Sequence, residues 1–107
     1  MFQTIDATEL QRLLDSGEAP RVVDVRTAGE LAGGTIGGAL HIELSTLPTR
    51  LSEFDSDTPL VVICHSGARS AQACAYLVER GFANACNLGG GIAGWVRAGL
   101  PLNGLSP

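Results

Sequence analysis

The sequence predicts an α/β fold built on an open, mostly parallel sheet of five strands, and three observations carry that prediction. Strand-like runs alternate with helical segments along the chain, the pattern of successive β–α units. One run, Leu60-Val61-Val62-Ile63, is apolar throughout and rich in β-branched residues, as suits a strand covered on both faces. The 14 glycines gather at Gly33-Gly34, Gly37-Gly38 and Gly89-Gly90-Gly91, which in an aliphatic chain marks tight loops rather than a flexible linker.

Taken in order, Phe2 to Ile5 is a short strand candidate. Asp6-Ala7-Thr8-Glu9 sets an N-cap three residues ahead of a Glu, a capping-box pattern. Leu10, Leu13 and Leu14 give that helix its buried stripe, and Gly17 ends it. Pro20 precedes a second strand, Arg21 to Arg26, whose charged end leaves the sheet. Thr27 and Glu30 repeat the cap pattern over one or two turns that Gly33-Gly34 stops, and Ala39 to Ile42 reads as a third strand. Ser45 to Leu51 is expected as a short helix with Pro48 in its first turn. The Asp55-Ser56-Asp57 turn leads to the Leu60 strand. Ser70, Ala73, Cys74 and Leu77 then fall at i, i+3, i+4 and i+7, so a helix with one buried face follows, with Gly81 placed to end it. Asn84 to Leu88 is the fifth strand, and Ile92 to Ala98 the last helix, carrying Trp95.

The 107 residues, 45% of them hydrophobic, fit one compact domain with a single core. A net charge of −4 with no Lys/Arg run argues against nucleic acid or an anionic membrane as partner. Neither an apolar span of membrane length nor a secretory leader is expected. Three cysteines without C-x-x-C spacing suggest neither a disulfide framework nor a zinc site, so a reducing cytoplasm is the expected setting.

The chemistry lies between the Leu60 strand and the Ser70 helix. Cys64-His65-Ser66-Gly67-Ala68-Arg69 is short enough to require a tight loop closing onto a helix N-terminus. Such a loop can aim backbone N–H groups of residues 65–69 at one point, and the helix dipole adds positive charge there. A cysteine at the strand end would have its thiolate stabilised, which makes Cys64 the candidate nucleophile with a lowered pKa. In open α/β sheets ligands sit beyond the carboxyl ends of the strands, where Cys64 lies. Gly67 lets the loop bend, and Arg69 is a permanent cation suited to an oxyanion or to bracing the loop. Asp24 and Arg26 read as architectural, fixing the strand end beside the loop, with Ser70 in support. Cys74 lies on the helix stripe and Cys86 inside a strand, so both read as structural. His65 reads as a solvent-facing loop residue, with tuning of the site's charge as its alternative. Trp95 reads as a core plug, and His41 has no companion that would make it a ligand.

Five pieces of the chain stand in the order found in one known family: Val23-Asp24-Val25-Arg26; Glu30 with Gly34-Thr35-Ile36-Gly37-Gly38-Ala39; Cys64-His65-Ser66-Gly67-Ala68-Arg69-Ser70; Gly81-Phe82; and Asn87-Leu88-Gly89-Gly90-Gly91 with Trp95. On these the chain resembles a single-domain rhodanese, from its first strand to Gly99-Leu100-Pro101. The resemblance implies a rhodanese-like sheet with helices on both faces and sulfurtransferase activity. Cys64 thiolate would take the outer sulfur of a donor such as thiosulfate, carry it as a persulfide, and pass it to cyanide or a thiol, a protein thiol included. His65, Ser66, Gly67, Ala68 and Arg69 would bind the substrate, with no metal and no organic cofactor, and the oligomeric state stays open. The chain departs from the family at Thr35 and Gly37, where His and Pro are usual, and at Gly89, where an acidic residue is frequent. Two alternatives remain. A Cys-loop-Arg phosphatase or arsenate reductase places one residue more between Cys and Arg than the four present here, and a loop this short crowds a tetrahedral phosphate. A non-catalytic rhodanese-like binding module typically lacks the nucleophile, which this chain keeps.

Overall fold

The structure is a computed structural model and describes residues 2–104. Strands β1 (Gln3–Ile5), β2 (Arg21–Asp24), β3 (Leu40–His41), β4 (Leu60–Ile63) and β5 (Ala85–Leu88) form one open sheet in the order β1-β5-β4-β2-β3. Every strand pairing is parallel. β4 is central and all four of its residues are buried, as its unbroken apolar run requires.

Side chains alternate faces along each strand, and two apolar clusters divide accordingly. Val22, Val61, Ile63 and Leu88 pack with Ala7 and Leu10 of α1 (Ala7–Asp15) and with Ile92 and Trp95 of α3 (Gly91–Arg97). Val23, Val62 and Ala85 pack with Ala73, Cys74 and Leu77 of α2 (Ala68–Glu79) and with Leu47. Trp95 is buried, and its indole N–H donates to the Pro101 carbonyl at 2.9 Å, so it fills the core as expected.

Several boundaries differ from the sequence expectations. β2 ends at Asp24, although the Val25 N–H still donates to the Ile63 carbonyl as the chain leaves the sheet. α2 begins at Ala68, which moves Ala68 and Arg69 out of the loop and into its first turn. The helix expected over Ser45 to Leu51 is instead two 3₁₀ segments, Leu44–Thr49 and Leu51–Glu53, and Pro48 falls beyond the first turn. The hydroxyls of Thr46 and Thr49 donate three residues back, to the carbonyls of Glu43 and Thr46, and Pro48 has no N–H to extend an α ladder. The turn over Ala28–Gly33 is also 3₁₀. At α1 only half of the capping box forms: Asp6 accepts from the Glu9 N–H at 2.9 Å, while the Glu9 side chain turns to Arg12. Gly81 ends α2 as expected, at φ +95° with the Phe82 N–H returning to the Leu77 carbonyl.

Candidate active site

β4 delivers Cys64 to the carboxyl edge of the sheet, and α3 shapes the loop that follows. The Ile92 and Ala93 N–H groups donate to the carbonyls of Cys64 and His65 at 2.9 and 3.0 Å. Gly67 then turns the chain at φ +102°, a left-handed conformation that favours glycine. The Cys64 Sγ accepts from the Gly67 N–H at 3.1 Å and from the Ser70 N–H at 3.4 Å, with Ser70 Oγ also at 3.4 Å. Ser70 thus belongs to the sulfur's immediate surroundings rather than to a supporting layer, and of the loop amides Gly67 makes the clearest contact. Cys64 is fully buried, and burial pushes its thiol up; the Ser70 hydroxyl and the amides of Ser70, Gly67 and Ser66 outweigh this and leave the pKa lowered.

Close contact between loop and α3 depends on Gly91. A Cβ there would lie 2.5 Å from both the Cys64 and His65 carbonyl oxygens, and its φ is +56°. Gly89, where the family often has an acid, faces Thr4 of β1; a Cβ would meet the Thr4 methyl at 2.9 Å.

Arg69 grips Glu30 with both ends of its fork, at 2.7 and 2.8 Å. Those bonds, helped by the Thr27 N–H, hold the Glu30 carboxyl well below the usual carboxylate range. Of the two roles open to Arg69, bracing is the one its contacts serve. The brace is anchored in turn by Asp24 and Arg26. Their buried pair closes at 2.8 Å, Thr35 Oγ1 donates to Asp24 at 2.7 Å, and Arg26 donates to the carbonyls of Glu30 and Gly34. Thr35, a departure from the family pattern, therefore completes the hydrogen bonding of Asp24. His41 donates to the Arg26 carbonyl at 2.6 Å.

His65 and Ser66 are exposed on the loop, and Ala68 is exposed at the start of α2. Cys74 is buried within the α2 cluster, where burial, with Cys86 adding to it, pushes the thiol up to about 12. Cys86 is half-buried on the opposite face of the sheet and is also raised, chiefly by burial. A groove of about 520 Å³ opens beside Arg69, lined by Val25, Leu44, Leu47, Pro48 and Tyr76 among others.

Two residues of this arrangement were not among the sequence candidates. Glu30 stands in the sequence reading only as a helix cap and as a member of one family piece. Asn87 was read only as part of a motif, yet it is buried, accepts from Ser70 Oγ at 2.5 Å and donates to the Gly67 carbonyl at 3.3 Å. The available signal was a polar side chain inside a buried strand, which requires partners.

The family profile described as Rhodanese-like domain matches residues 6–98. A protein named sulfurtransferase from Allochromatium vinosum is 44% identical over 102 residues, covering 95% of each chain. The thiosulfate sulfurtransferase GlpE of Pseudomonas aeruginosa is 35% identical over 94 residues, covering 88% of this chain and 84% of GlpE. The structure of a human single-domain sulfurtransferase, TSTD1, superposes with a TM-score of 0.83 at 32% identity, covering 91% of this chain and 97% of TSTD1.

Proposed function

Since the chain belongs to the rhodanese-like domain family, we propose that it is a sulfurtransferase that carries sulfane sulfur as a persulfide on Cys64. One observation carries this reading: a cysteine at the end of the central strand whose Sγ accepts from the Gly67 and Ser70 amides. In the first half-reaction the Cys64 thiolate attacks the outer sulfur of a donor such as thiosulfate. The donor's S–S bond breaks, its electron pair leaves with sulfite, and Cys64 holds a persulfide. In the second, an acceptor nucleophile attacks the outer sulfur, the new S–S bond breaks, and its electron pair restores the thiolate.

Negative charge rests on sulfur at both ends of this cycle, and fixed amides stabilise it without having to reorganise. The persulfide bond, about 2.0 Å long, carries the transferred atom beyond Sγ. His65, Ser66, Gly67 and Ala68 frame the substrate, Arg69 braces the loop through Glu30, and the groove beside Arg69 gives the acceptor an approach. A cellular thiol, small or on a protein, is the proposed acceptor, and cyanide serves in its place in an assay. The thiolate needs a reducing compartment, for which the cytoplasm is the proposed setting. Residues 1–107 are taken as one such domain. Phosphate chemistry is disfavoured by the four-residue spacing and by an Arg69 fork already filled by Glu30.

Intact-mass spectrometry after mixing with thiosulfate tests the proposal. A gain of one sulfur atom is expected in the wild type, Cys74→Ala and Cys86→Ala, and none in Cys64→Ser. Loading that persists in Cys64→Ser sinks the assignment. Efficient aryl-phosphate hydrolysis through Cys64 replaces it with the phosphatase alternative.

A further inference from the structure

Ser70 Oγ carries one hydrogen and has two neighbours that want it. Asn87 Oδ1 lies at 2.5 Å and Cys64 Sγ at 3.4 Å. The orientation of Asn87 is fixed on its other side, where Nδ2 donates to the Gly67 carbonyl at 3.3 Å. Turned over, the amide would set its own oxygen against that carbonyl and an N–H against Ser70, so Oδ1 faces the hydroxyl. The hydroxyl hydrogen therefore points at Asn87, and the Ser70 lone pairs face the sulfur. That arrangement suits a thiol, which can donate its S–H to Ser70 Oγ, and the uncharged inner sulfur of a persulfide. It does not suit a thiolate, which needs the hydrogen turned toward it.

We propose that Asn87 is a positioning residue: it holds the Ser70 hydroxyl hydrogen away from Cys64 and yields it only when charge develops on Sγ. The proposal rests on the reading of Cys64 as sulfur carrier. As an acceptor thiolate bonds to the outer sulfur of the persulfide, the bond from that sulfur to Sγ breaks and its electron pair moves to Sγ. The hydroxyl then swings from Asn87 to the sulfur; no proton changes owner. A donor that engages Sγ in the transition state and not in the persulfide assists the step rather than the resting state. Attack on thiosulfate runs the swing in reverse.

The charged and titratable groups around the site are Arg69 of α2, Glu30 paired to it from the Ala28–Gly33 turn, the Asp24–Arg26 pair at the end of β2, and His65 in the loop. None is altered by changing Ser70 or Asn87. The pH dependence of Cys64 alkylation, read by peptide mapping, gives the test in four proteins. Ser70→Ala should raise the midpoint and Asn87→Ala should lower it, each by about 0.5–1 unit, the worth of one hydrogen bond. In the Ser70→Ala background, Asn87→Ala should change nothing. A midpoint raised by Asn87→Ala, or shifted equally with and without Ser70, overturns the proposal and leaves Asn87 as a simple brace for Gly67.

A second measurement needs no substitution at Asn87. The NMR signals of its side-chain amide should move as Cys64 ionises in the wild type and stay fixed in Ser70→Ala; equal movement in both also overturns the proposal. Thiosulfate loading of the same wild-type protein keeps the two ideas separate. Predicted midpoints without loading would sustain the hydroxyl switch and sink the sulfur-carrier reading, while loading with the wrong midpoints would sink the switch alone.

Discussion

The thiols of Cys64 and Cys74 belong to one strand–loop–helix unit and are both fully buried, yet they are pushed in opposite directions. Burial acts upward on each. Only Cys64 has donors aimed at its sulfur, and these reverse the outcome. Native-state alkylation should follow that division. Cys64 should react with a midpoint below the roughly 8.5 of a free cysteine, while Cys74, pushed up to about 12, should stay unmodified at neutral pH. Because Cys64 has 0% of its surface exposed, the absolute rate reports opening of the site as well, and the midpoint is the quantity to read. A Cys64 midpoint at or above the free value would remove the electrostatic basis for its activation. The candidate nucleophile was legible in the sequence because a strand, a cysteine and a helix start are consecutive. Glu30 and Asn87 were not, because the partners that define them, Arg69 and Ser70, lie 39 and 17 residues away in the chain.

Among the elements, α3 has a role beyond covering the sheet, since its first amides hold the carbonyls of Cys64 and His65. Gly91 is where that contact can be broken with one methyl group. In Gly91→Ala the new Cβ would meet two carbonyl oxygens at 2.5 Å, in a backbone conformation that L side chains avoid. Left-handed strain and overpacking together should cost about 2–5 kcal/mol in denaturant unfolding, with sulfur loading lost or much reduced. Gly29→Ala is the control, because a Cβ there meets nothing within 4 Å and its φ is not in the left-handed region. It should unfold within about 0.5 kcal/mol of the wild type and load normally. Equal tolerance of both substitutions would dismiss the idea that α3 sets the loop. The long helix α2 was readable from its 3.6-residue stripe. The 3₁₀ segments were not, because hydroxyl-to-carbonyl bonds from Thr46 and Thr49 reset the local geometry without changing the apolar pattern.

Across the whole molecule, the alternation of strands and helices made a parallel sheet readable, and the unbroken apolar run of β4 marked its centre. The order β1-β5-β4-β2-β3 was less accessible, because parallel pairing joins segments distant in sequence and leaves no local pattern. That order brings the Ala28–Gly33 turn beside the first turn of α2 and so creates the Glu30–Arg69 tie. The tie should be visible in acid stability. Glu30 in the unfolded chain titrates near the usual value of about 4.3, whereas its folded pKa is lower, so below that value the unfolded state binds more protons. Its contribution is complete above that pH and fades as pH falls toward the folded value. With Glu30 34% and Arg69 36% exposed, solvent screening limits the pair to about 0.5–1 kcal/mol at neutral pH. Glu30→Gln should therefore be destabilised by about that much at neutral pH. Its deficit against the wild type should begin to narrow as pH drops below about 5 and go on narrowing as pH falls toward the folded value, because over that range only the wild type loses the interaction. Urea unfolding of both proteins across this range isolates Glu30 by difference. A deficit that holds constant down to acid pH would mean that the ionised carboxylate does not stabilise the fold and that Arg69 holds the loop by other contacts.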